Sequence, residues 1–201
     1  MTACARYCTV TAAAVVLMAA LEWSIIDVIT GFLLAPLQGL VWLLFLGGFA
    51  WAIAVRLRST SPGSAKSYPL LICVVGVALA LFVPWTTLWL AANERVHRSD
   101  RERIVRQVQE GSIRPNVSYN RGLIALGPEA PDVSKGGNEI VVEEHNGQRY
   151  VFFYTFRGIL DAYSGFLFVP NGADPRLFAD AADRSTVVEQ RSPNWFFIAH
   201  H

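Results

Sequence analysis

Residues 10–34 read VTAAAVVLMAALEWSIIDVITGFLL, residues 37–55 read LQGLVWLLFLGGFAWAIAV, and residues 67–92 read SYPLLICVVGVALALFVPWTTLWLAA. None contains Lys or Arg. Each approaches or exceeds the ~20 apolar residues that cross a bilayer core. In lipid every backbone N–H and C=O must be bonded internally, so each stretch reads as a helix. The Ala35-Pro36 step predicts a tight hairpin between the first two. Arg56 to Lys66, with Pro62, Gly63 and three bases, reads as the loop before the third.

Working outward, the composition agrees. A hydrophobic share of 53% with only 16% charged residues is too apolar for an ordinary soluble domain. The formal charge of +1 gives no basic field for nucleic acid. Up to Ala92 the only charged residues are Arg6, Glu22, Asp27, Arg56, Arg58 and Lys66, and the rest lie beyond Asn93. The chain therefore divides into a transmembrane region (1–92), a polar stalk helix (93–111) and a strand-rich domain (112–201). Its three cysteines, Cys4, Cys8 and Cys73, leave that last domain without a disulfide framework.

Bases in short loops stay cytoplasmic, which puts the N-terminus and the Arg56 to Lys66 loop inside and the C-terminal domain outside. Arg95, Arg98, Arg101, Arg103 and Arg106 pull the other way, but long segments translocate largely regardless of charge. Trp23, Trp42, Trp85 and Trp89 fall towards the outer surface, where indoles favour the headgroups. The first span also has the n-region and apolar stretch of a signal peptide, with a poor cleavage site because Leu17 or Met18 stands where a small residue belongs.

Glu22 and Asp27 are the polar residues in the wrong solvent. If the helix starts at Val10, Glu22 lies ~18 Å along it, near the bilayer middle, where a carboxylate costs ~3 kcal/mol and marks a functional site. If it starts nearer Ala3, both carboxylates reach the outer headgroups. Gly48 and Ala52, with Ala50 and Ala54, give the small-residue spacing that lets helices pack closely. Pro84 predicts a kink that frees the carbonyl of Ala80.

From Asn93 the pattern stays helical but turns polar, with Glu94/Arg98 and Glu102/Arg106 at i,i+4 spacing and Gly111 as a stop. The third span and this stalk are expected to form one long helix packed on a sheet. Strand patterns follow at 122–126, 139–145, 148–157, 165–169, 186–190 and 195–199. Asn146-Gly147 between two of them predicts a two-residue hairpin. The expected fold is a membrane α-helical bundle of three transmembrane helices plus a C-terminal α+β domain with an antiparallel β-meander.

Both faces of the central run 148–157 are apolar. Val151 and Phe153 are expected on one side, and Tyr150, Phe152, Tyr154 and Phe156 on the other. One helix covers one face, so the second aromatic row is a candidate interaction surface. Arg157 and Asp161 flank a turn closely enough to form a structural pair. Ser164, Asp161 and His145 lack the nucleophile elbow or ordering motif of a hydrolase. No cofactor or metal signature and no catalytic motif is present. Asn116-Val-Ser118 matches a glycosylation sequon.

From the third span onward the order of elements resembles type IV pilins and pseudopilins in architecture, without a prepilin cleavage sequence and with two additional spans. The expected role is a membrane-anchored binding or sensing module, bathed by the lipid bilayer and contacting an envelope protein partner; the alternative is a transport accessory lined by Glu22 and Asp27. With three spans and a cytoplasmic N-terminus, an alkaline phosphatase fused after His201 should be active and a fluorescent protein there dark. The opposite pair of signals would reverse the orientation.

Overall fold

The computed structural model describes residues 2–58, 67–158, 162–178 and 186–200, except for the side chains of residues 27–32. The chain forms two units, Met1–Ala92 and Asn93–His201.

The first unit begins with a helical run, α1 (Ala3–Leu57), capped by Thr2, whose hydroxyl accepts from the Ala5 N–H at 3.3 Å. A straight helix would hold Tyr7 and Leu44 ~55 Å apart at about 1.5 Å per residue. Instead the Tyr7 hydroxyl donates to Leu44 O at 3.1 Å, the Cys8 thiol to Gly48 O at 3.4 Å, and Gln38 Nε2 to Glu22 Oε1 at 3.1 Å. The run is therefore two antiparallel arms, Ala3–Ile26 and Leu33–Leu57. The reversal falls between Glu22 and Gln38, the stretch that holds the Ala35-Pro36 step the sequence pointed to. Pro36 stands inside the second arm.

The arms close on small residues. A Cβ on Gly48 would stand 2.9 Å from the Tyr7 ring, and one on Gly76 would stand 2.8 Å from the Ala12 Cβ. Gly76 belongs to α2 (Tyr68–Phe82), which packs on the first arm. The resulting core is Cys4, Cys8, Ala12, Val15, Phe45, Ala52 and Cys73.

After Phe82 the chain breaks. Val83 is extended (ψ 126°), the conformation a following proline favours, and α3 (Trp85–Gln109) starts beyond Pro84. The Trp85 indole donates to Leu79 O at 3.0 Å, satisfying a carbonyl near the end of α2. The two helices are bent by 60°. The expected single helix from third span to stalk is thus two helices, because proline removes a backbone donor and disfavours helical ψ in the residue before it. Among the described residues, two helices are long and apolar enough to cross a membrane, or three if this bent pair is one span. They are compatible with a membrane location.

In the second unit, a six-stranded antiparallel sheet has the order β1-β2-β3-β4-β6-β5. The strands are β1 (Leu123–Ala125), β2 (Glu139–His145), β3 (Gln148–Arg157), β4 (Tyr163–Phe168), β5 (Thr186–Ser192) and β6 (Trp195–His200). Asn146 (φ 54°) and Gly147 (φ 76°) make the left-handed pair that closes the β2–β3 hairpin. The meander runs through β4 only: β6 then inserts beside it and leaves β5 at the edge.

Each sheet face has its own cover. On one side Arg101, Ile104, Val105 and Val108 of α3 are buried. The Arg101 guanidinium lies 4.7 Å over Phe166 and 5.8 Å over Phe153. On the other side Tyr150, Phe152, Leu167, Val169 and Ile198 pack with Phe178, which stacks on Phe152 at 5.3 Å. The Tyr150 hydroxyl donates to Asp174 O at 3.0 Å, tying down the segment after β4.

Arg101 is 2% exposed and has no carboxylate within ion-pair distance among the described residues. Its Nε and Nη2 donate to Val133 O at 3.1 and 3.0 Å, and Nη2 to Asn93 Oδ1 at 2.7 Å. Burial pulls its pKa down to about 10, so it remains charged at neutral pH. Arg101→Lys keeps the charge but not the planar fork. It should destabilise this unit by about 2 kcal/mol, the scale of one or two lost charge-assisted bonds, measured by denaturant unfolding followed through Trp195.

Candidate ligand-binding clefts

Where α3 ends, the chain must reverse to reach β1. Gly111 takes φ 74°, with its N–H on Val108 O at 3.1 Å and that of Ser112 on Gln107 O at 2.9 Å, a glycine-terminated helix end. Two arginines complement the partial negative charge there. Arg149 Nη1 donates to Val108 O at 2.8 Å and Gln109 O at 3.3 Å, and Arg114 Nε donates to Gly111 O at 3.2 Å.

The loop returning to β1 is held by one side chain. Asn116 Nδ2 donates to Ala125 O at 3.0 Å, and its Oδ1 accepts from the Ala125 N–H at 2.8 Å, copying the pairing of a neighbouring strand. The sequon asparagine is therefore committed to the backbone of β1.

Between this loop, α3 and the β1 side of the sheet lie two adjoining cavities. The larger, about 640 Å³, is lined by Arg103, Gln107, Ile113, Arg114, Ile124 and Glu129 among others. The smaller, about 430 Å³, is bounded by Ile113, Arg114, Arg121, Ile124, Glu144 and Arg149. Ile113, Arg114 and Ile124 line both. Arg103 is paired with Asp100 at 2.7 Å, and Arg149 meets Glu144 at 3.4 Å. Arg121 is exposed and makes no hydrogen bond among the described residues. The clefts thus combine apolar walls with guanidinium groups that the fold uses only in part.

The residues singled out by sequence lie elsewhere. Glu22 is half-buried and accepts from Gln38. Because the helix starts at Ala3, Glu22 stands ~29 Å along it, close to a full hydrocarbon thickness rather than half of one. The neighbouring Trp23 stacks on Trp89 at 5.9 Å and donates to Thr86 Oγ1 at 3.1 Å. The Asp27 side chain lies outside the described residues.

Tyr150 and Phe152 are buried core residues, at 0% and 1% exposure, while Tyr154 and Phe156 are half-buried. The four do not share a face. A register shift pairs Tyr154 with Gly165 but Phe156 with Ser164, so Phe156 turns to the opposite side. Arg157 takes the vacated side, 5.2 Å over the Tyr154 ring. Its ion pair is with Glu139 Oε2 at 2.7 Å, which raises the Arg157 pKa, whereas Asp161 lies outside the described residues. The Ser164 hydroxyl meets Thr155 Oγ1 at 3.0 Å and His145 meets Glu143 at 3.1 Å, so these two groups engage separate partners.

Sequence reasoning missed the cleft arginines, since positions 103, 114, 121 and 149 follow no period and only the fold gathers them. It also left Cys73 apart from Cys4 and Cys8, which the structure brings into one buried cluster. Among the described residues no group of three or more His, Cys, Asp or Glu side chains is arranged to hold a metal. No family model, curated protein or solved structure matches the chain.

Asn116→Ala should free the loop from β1, seen as faster amide hydrogen exchange at Ala125 with little change at β3. Unchanged protection at Ala125 would show that the side chain does not hold the loop.

Proposed function

We propose that the chain is a membrane-anchored binding module. In this reading its apolar helices hold it in a bilayer, and the clefts at the end of α3 take up a ligand or the projecting group of a partner. The observation that carries it is the pair of adjoining cavities sharing Ile113, Arg114 and Ile124, in a unit whose sheet is otherwise covered on both faces. The role is binding rather than turnover.

The distribution of bases supports a cytoplasmic N-terminus and, with the bent pair as a full span, a 93–201 unit on the opposite side. The buried positions of Tyr150 and Phe152 move the proposed contact from the aromatic row to the clefts. The helix start at Ala3 supports a structural role for Glu22 at the headgroup level rather than a polar path through lipid.

A photo-reactive residue at Gln107, which lines the larger cavity, should yield an adduct on illumination in intact cells. The same residue at Val187, exposed on the edge strand, should not. Adducts of equal yield at both positions, or at neither, would contradict the proposal.

A further inference from the structure

We propose that the joined clefts bind a small organic anion: a phosphate monoester or carboxylate carried on an apolar body. This inference rests on the binding role proposed above and specifies its ligand chemistry.

Four guanidiniums and two carboxylates line the two cavities, Arg103, Arg114, Arg121 and Arg149 against Glu129 and Glu144. Their availability differs. Arg149 spends Nη1 on two carbonyls of α3 and its Nε on Glu144, and Arg103 is occupied by Asp100. Arg114 uses only Nε, on Gly111 O, and neither of its Nη atoms is bonded among the described residues. Arg121 uses none of its donors there. A guanidinium fork with unspent parallel donors matches the two oxygens of a carboxylate or phosphate, and an ammonium would not replace it.

The walls decide what accompanies the charge. Ile113 and Ile124 separate and line both chambers, and Leu126 and Pro131 continue the apolar lining of the larger one. Chambers of about 640 and 430 Å³ fall in the range of sites that enclose small molecules. A bare inorganic ion would leave this apolar wall in water. An apolar body in the larger chamber, with its anionic head at Arg114 and Arg121, uses both features.

The test uses the full chain in nanodiscs of zwitterionic lipid, titrated calorimetrically with phenyl phosphate, inorganic phosphate, benzoate and benzylamine. Phenyl phosphate and benzoate should bind, inorganic phosphate about tenfold or more weakly, and benzylamine not at all. Arg121→Gln, at a side chain the fold does not use, should weaken phenyl phosphate about tenfold, and Arg114→Gln should do the same. Nanodiscs containing phosphatidic acid distinguish a lipid source of the same head: competition there supports the anion chemistry and assigns it to the membrane.

Inorganic phosphate binding as tightly as phenyl phosphate would overturn the role of the apolar wall. Affinity unchanged in both variants would overturn the site. If no anion binds while Gln107 still yields its adduct, the ligand chemistry is wrong and the binding role stands. If the adduct is absent too, both fall.

Discussion

Among the described residues between Ala3 and Phe82, many large apolar side chains are turned outward: Val10 is 67% exposed, Leu17 58%, Leu43 68%, Leu71 58% and Phe82 82%. Only 17% of the apolar window in each α1 arm is buried. In water, each such side chain left uncovered forfeits ~1.5–3 kcal/mol of the stabilisation that burial would bring. Small residues, by contrast, make the contacts between the helices: Gly48 against Tyr7 and Gly76 against Ala12. This is the arrangement expected where the surroundings are as apolar as leucine and close backbone approach, not hydrophobic burial, joins helices. The first unit is thus compatible with a membrane location.

The second unit solves the opposite problem. Its central strand is apolar on both sides, so it needs a cover on each. The α3 helix supplies one through Ile104, Val105, Val108 and the flat guanidinium of Arg101, and Phe178 with the segment before it supplies the other. With both faces closed, the two adjoining clefts lie at the α3 terminus, where a helix has to stop and hand over to a strand. Arg114 and Arg149, which satisfy carbonyls at that end, also contribute charge to the clefts, so one local need of the fold supplies part of the chemistry of the candidate site.

Much of this architecture was legible in the residues. The strands at 139–145 and 148–157 appear at those bounds, because Asn-Gly sets a two-residue turn and the register propagates from it. The three apolar stretches are helical in their described residues, apart from Ser67 and the proline break at Val83-Pro84. Other features were hidden for physical reasons. The insertion of β6 between β4 and β5 is a choice among pairings that alternation cannot rank. The bulge after Tyr154 turns Phe156 to the other face without any glycine to announce it. The cleft arginines are far apart in the chain, and only the returning loop after Gly111 and the β2–β3 hairpin bring them together.

The solvent around the first unit can be tested directly. Membranes from cells producing the full chain, washed with alkaline carbonate and floated through a density gradient without detergent, should carry the protein upward with the lipid, and detergent should release it. A chain that stays at the bottom as a monodisperse, folded species, with Leu17, Leu43 and Leu71 buried in a water-soluble interior, would contradict the account.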